Sequence, residues 1–154
     1  MKRKYFWGIL VILLLIAGIY IYKEYNRTTA DVKKLEPKFT TDAVTLIKEF
    51  EQSETEAQKK YSGLNIVLSV KGYLKGIEME SNNYTLLLGD TTSMSTVRCR
   101  MDSTHVSETK GLNKGSIVTV NGYFNGYKAD DTGMLGSDVE LNRCVIMDKK
   151  ENNL

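Results

Sequence analysis

Tyr84, Tyr127, Arg98 and Arg100 are the side chains in this sequence best suited to hold an extended ligand, because aromatic faces and guanidinium planes accept sugars or bases alike. Each is also explained as an isolated surface tyrosine or a cross-strand charge. Cys99 and Cys144 are the only cysteines, and they allow two readings, a disulfide or two small buried hydrophobes. Neither belongs to a C-x-x-C pair, and nothing beside either in sequence would lower its pKa, so neither reads as catalytic. His105, the single histidine, has no His or Cys at metal-ligand spacing and reads as a surface residue. Asp130-Asp131-Thr132-Gly133 resembles the start of a calcium loop but lacks the alternating ligands and the terminal glutamate, so it reads as a turn. No pair of carboxylates is assigned to acid and base roles by spacing. The expectation is a non-catalytic binding protein without metal or cofactor.

Those side chains need strands to present them. Ala43, Leu46, Ile47, Phe50, Ala57 and Tyr61 recur at spacings of three, four and seven, the stripe of one amphipathic helix capped by Thr40 or Thr41 with Asp42 in its first turn. After Gly63 the period becomes two. A long first strand runs from Ile66 to Ile77, a second from Tyr84 to Leu88, a third from Thr96 to Met101, a fourth from Ile117 to Tyr127 and a fifth from Val139 to Met147. In the fifth, Val139 and Leu141 are followed by Cys144 and Ile146, so a bulge near Asn142-Arg143 is needed to keep all four inward. The first and fourth strands share V-x-G-Y-x-x-G, which places Gly72 with Gly122 and Gly76 with Gly126 as barrel-bend glycines. Five strands with a crossover between the third and fourth follow the order of an OB-fold, a mainly β barrel. Its binding face would be the second and third strands with the loops Glu78 to Asn83 and Tyr127 to Gly136.

The strongest compositional signal lies upstream. Lys2, Arg3 and Lys4 precede an apolar run from Tyr5 to Tyr22, whose 18 residues make roughly 27 Å of helix, enough for a membrane core of about 30 Å. The competing reading is a cleaved signal peptide, and both export the remainder. The expected organisation is a cytoplasmic tail at 1–4, a transmembrane anchor at 5–22, a polar stalk at 23–39, a helix plus barrel at 40–148 and a tail at 149–154. The expected location is the cytoplasmic membrane, single-pass, with the N-terminus inside and the C-terminal domain outside. Lys2, Arg3, Lys4 and Lys23 account for four of 21 basic residues, leaving 17 beyond residue 23 against 19 acidic ones, net −2. That balance counts against a surface evolved to neutralise phosphates.

Over residues 40–148 the chain resembles the tRNA_anti-like family of membrane-anchored bacterial OB-fold domains. The resemblance rests on Ala57-Gln58-Lys59-Lys60-Tyr61-Ser62-Gly63, Val70-Lys71-Gly72, Val97-Arg98-Cys99, the run Leu112 to Gly122, and Val139 to Ile146. Phe124 stands where members often carry a cysteine, a departure that removes support for a shared thiol role. The resemblance implies a fold and an envelope setting, with no activity attached. The expected partners are the lipid bilayer through residues 5–22 and a protein or envelope polymer, with nucleic acid disfavoured. The expected function is an extracytoplasmic binding module, with a membrane-tethered nucleic-acid-binding OB-fold as the alternative.

Overall fold

The computed structural model describes residues 13, 15–22, 31–63, 66–81 and 83–150, with backbone alone for 149 and 150. The chain divides into two units, Met1–Ala30 and Asp31–Leu154. In the first, residue 13 and residues 15–22 are helical, and Leu15, Ile16, Ile19 and Ile21 are exposed. The transmembrane anchor is corrected here: among the described residues no helix is long and apolar enough to cross a membrane. The rest of the 5–22 segment, with the 1–4 tail, lies outside the described residues. The single-pass location inferred from that segment loses its structural basis with it.

In the second unit the strands are β1 (Phe39–Asp42), β2 (Val67–Glu80), β3 (Asn83–Gly89), β4 (Thr96–Met101), β5 (Ile117–Lys128) and β6 (Asp138–Lys150). The helices are α1 (Ala43–Gln52) and α2 (Glu54–Tyr61). The expected five strands and single amphipathic helix are therefore corrected to six strands and two α-helices among the described residues of this unit. The extra strand, β1, runs parallel to β2 from Phe39 opposite Leu68 to Asp42 opposite Lys71. Four residues are too few for alternation to announce a strand. The helix breaks at Ser53, whose backbone is extended at φ −155° and ψ 93° while its N–H still donates to the Glu49 carbonyl. Serine competes well for local backbone bonds, and the break turns Tyr61 back so that its hydroxyl donates to Glu49 at 2.8 Å. The N-cap is Asp42, accepting from the Thr45 N–H at 2.9 Å.

The barrel closes in the order β2-β3-β4-β6-β5, with β5 returning to β2. β2 serves two neighbours, pairing with β5 from Val67 to Tyr73 and with β3 from Tyr73 to Glu80. At Gly72 an added Cβ would lie 2.9 Å from the Ala43 Cβ, and at Gly122 2.6 Å from the Cys144 Sγ, so both positions need the missing side chain for close approach. Gly76 and Gly126 instead sit where the strand registers shift. Arg143 adopts φ +54° between buried Leu141 and buried Cys144, the bulge that the slip in apolar phase requires.

Leu68, Val70, Leu86, Leu88, Val97, Val118, Val120 and Val139 are fully buried within the barrel. Each large side chain so buried contributes about 1.5–3 kcal/mol before entropy is counted. α1 inserts Leu46 and Phe50 into one end, where the Phe50 ring stacks on Phe124 at 5.1 Å and Tyr127 at 5.0 Å. A smaller cluster forms outside the barrel, where Val32 packs with Val67 and Val145. The polar stretch read as a stalk thus joins this unit from Asp31 onward, through a 3-10 turn at Val32–Lys34.

Candidate functional site

Alternation along β3 and β4 sends chemistry to two faces. Leu86 and Leu88 of β3, with Val97, Cys99 and Met101 of β4, point into the core. Thr85 and Leu87, with Arg98 and Arg100, occupy the alternate positions and face outward. The ladder aligns Glu78, Thr85 and Arg100 on one rung, and Gly76, Leu87, Arg98 and Glu140 on the next. Glu80 lies opposite Asn83 at the hairpin end. All of these except Gly76 and Leu87, with Ser81, Leu141 and Asn142, line an open groove of about 320 Å3.

The groove is polar and mixed in sign. Arg98 donates to Oε2 of Glu78 and lies 3.9 Å from Asp138, so its charge is largely answered within the protein. Glu140 is held by Lys128 at 3.0 Å and accepts from the Asn125 amide at 3.1 Å. The Lys128 hydrogen bond chiefly keeps its carboxyl below the ordinary range, with Asn125 and the charge of Arg100 helping and partial burial opposing. The side chains of Arg100 and Glu80 make no hydrogen bond or ion pair among the described residues, leaving a guanidinium fork and a carboxylate on offer.

Of the residues singled out from sequence, Arg98 and Arg100 come together in this groove. Tyr84 lies opposite Met79 and packs against the core, in phase with Leu86 and Leu88. Tyr127 stacks on Phe50 and borders a separate cleft with Glu51, Met94 and Met134. Loops 90–95 and 129–137 meet there, where the Ser95 hydroxyl accepts from the Ser137 N–H at 3.0 Å and donates to Glu51 at 3.2 Å. Asp130 organises the second loop by accepting from the Thr132 hydroxyl and the N–H groups of Thr132, Leu135 and Gly136. The Thr132 hydroxyl and Gly136 N–H lead these bonds in drawing its carboxyl down to about 2.

Cys99 and Cys144 are free thiols, both fully buried. Burial pushes the Cys144 thiol well up, and the neighbouring Cys99 thiol adds to the effect. Among the described residues no group of three His, Cys, Asp or Glu side chains is placed to hold a metal ion.

His105 is more engaged than its isolation in sequence suggests. Its Nε2 lies 3.1 Å from Asp31 and its Nδ1 3.1 Å from Glu108, which also pairs with Lys33 at 2.6 Å. The cluster joins the 3-10 turn at Val32–Lys34 to the one at Val106–Thr109. A separation of 74 residues hid the Asp31 contact from local reading. Glu78, Glu80 and Asn83 fall in the Glu78 to Asn83 loop expected at the binding face and Thr85 in its second strand, whereas Glu140 and Asn142 were missed, because their place in the groove depends on strand register between distant segments.

The tRNA_anti-like profile matches residues 1–138. The chain belongs to the tRNA_anti-like family. No curated protein matches this member's sequence. Among solved structures, a "putative nucleic acid-binding lipoprotein" from Klebsiella pneumoniae is similar at 14% identity and a TM-score of 0.54, covering 71% of this chain and 92% of that one. The asparaginyl-tRNA synthetase of Pyrococcus horikoshii matches at 18% identity and a TM-score of 0.38, covering 60% of this chain and 21% of the synthetase. The Stn1-Ten1 complex of S. pombe matches at 15% identity and a TM-score of 0.38, covering 53% of this chain and 57% of the matched one. The Klebsiella structure supports the fold of this tRNA_anti-like domain.

The expected partners are corrected accordingly. The bilayer contact through residues 5–22 has no crossing helix among the described residues to support it. A protein or envelope polymer was inferred from that setting and falls with it. The expectation that nucleic acid is disfavoured stands against the description of the Klebsiella fold neighbour, which is itself called nucleic acid-binding.

Proposed function

We propose that this domain binds single-stranded nucleic acid in the groove over β2, β3, β4 and β6, without turnover. The observation that carries the reading is Arg98 and Arg100 projecting side by side into an open polar groove on the outer barrel face. An OB-fold uses this face for extended ligands, and the Klebsiella lipoprotein of the same fold is described in nucleic-acid terms. The groove holds Glu78, Glu80 and Glu140 beside the two arginines, so phosphate neutralisation supplies only a small part of the binding. Hydrogen bonds to exposed base edges supply the remainder, which favours single strands over duplexes whose edges are paired.

Fluorescence anisotropy with labelled single strands at several salt concentrations tests this. With at most two phosphate contacts, the slope of log affinity against log salt should be about −1.4 or shallower. Arg100→Gln should weaken binding while leaving the melting temperature unchanged. Binding that is absent, or unaffected by Arg100→Gln, would refute the assignment.

A further inference from the structure

Among the described residues the groove has no aromatic platform, since Tyr84 turns inward and Tyr127 stacks on Phe50. Sequence-tolerant stacking therefore contributes little, and what binds must be held by its edges. On the rung Glu78-Thr85-Arg100 an acceptor and a donor fork stand two strands apart, a separation of about 10 Å between backbones. Arg98 engages Oε2 of Glu78, and Oε1 has no partner among the described contacts. Glu80, next along the same outward face, adds a second carboxylate. Thr85 between them is small, so the space above it suits a planar group that offers donors toward Glu78 and acceptors toward Arg100.

Only one common base presents both. The N1–H and N2–H groups of guanine match a carboxylate, and its O6 and N7 match the two-pronged arginine. Uracil and thymine offer one ring N–H and no exocyclic donor, and cytosine and adenine would present an amino group toward the arginine on at least one edge. Building on the nucleic-acid reading above, we propose that Glu78 and Arg100 make this groove a guanine-selective site in single-stranded nucleic acid, with Glu80 as a supporting acceptor.

The test uses the full chain and eight-nucleotide single strands, all thymine or with one central guanine, followed by anisotropy. The guanine strand should bind at least about fivefold more tightly. Replacing that guanine by inosine removes the N2 amino group, and replacing it by 7-deazaguanine removes the N7 acceptor; each should lose most of the gain. Arg100→Met should abolish sensitivity to 7-deazaguanine while keeping sensitivity to inosine, and Glu78→Gln should do the reverse. Equal affinity for the thymine and guanine strands would overturn the guanine site and leave single-strand binding standing. No binding to any strand would overturn both.

Discussion

Gly122→Ala places one methyl group where the barrel has no room for it. Built on the existing backbone, the new Cβ would lie 2.6 Å from the Cys144 Sγ, 3.2 Å from the Asn142 carbonyl oxygen and 3.5 Å from the Leu141 Cβ. Non-bonded contacts of this kind sit near 3.5–4.0 Å, so the sulfur is about 1 Å too close and the carbonyl a few tenths of an ångström. Overpacking of this sort costs about 1–3 kcal/mol. Cys144→Ala alone removes a fully buried thiol and should cost about 1 kcal/mol, comparable to deleting one core methylene. In the double variant the sulfur is gone and only the carbonyl contact remains. Its destabilisation should fall about 1–2 kcal/mol short of the sum of the singles. Urea unfolding with an unchanged m-value measures each corner of this cycle. Additivity within about 0.5 kcal/mol would refute the inward placement of Cys144 by the Arg143 bulge, and with it the tight β5–β6 seam.

Asp130 gives a pH-dependent expectation. Its carboxyl is lowered from 3.8 to about 2, so the order it lends the 129–137 loop is fully present above about pH 4 and lost as pH falls through about 2. Protection of the Leu135 and Gly136 amides, measured against their intrinsic exchange rates at each pH, should fall across that window, and Asp130→Asn should show the lower protection already at neutral pH; pH-independent protection would count against the bonding. His105→Gln should loosen the 3-10 turn at Val32–Lys34, read as faster exchange of the Lys34 and Leu35 amides that close it. Global stability should change by less than about 0.5 kcal/mol, and unchanged exchange at those two amides would show that Val32 packing alone holds the turn.

Much of the barrel was legible because glycine and apolar phase mark backbone geometry directly. The two copies of V-x-G-Y-x-x-G contain one glycine at a close approach and one at a register shift, and the phase slip after Leu141 located the Arg143 bulge. Phase also bears on Tyr84, which alternates in step with Leu86 and Leu88 and so packs inward. The break at Ser53 was not legible, because the stripe Ala43 to Tyr61 keeps helical spacing across it. β1 was invisible for a different reason: four residues acquire strand structure only through the parallel partner 68–71. The groove was half legible. Arg98 and Arg100 declare a shared face by alternation and Glu78 opens the loop expected beside them, whereas Glu140 joins them only through the register of β6 against β4.

The groove can be altered without touching the core beneath it. The inward positions of β3 and β4 hold Leu86, Leu88, Val97 and Cys99 at zero exposure, while every groove side chain invoked here stands on the alternate, solvent-facing positions. Substitutions at Arg100, Glu80 and Thr85 remove no core contact, and changes at such sites usually lie within about 0.5 kcal/mol of neutral. Glu78 and Arg98 are the exception only through their ion pair, which is partly exposed and worth at most about 1 kcal/mol. Binding lost on replacing Arg100 is therefore attributable to the groove itself, because the barrel beneath it keeps the same packing, strand register and glycine seams.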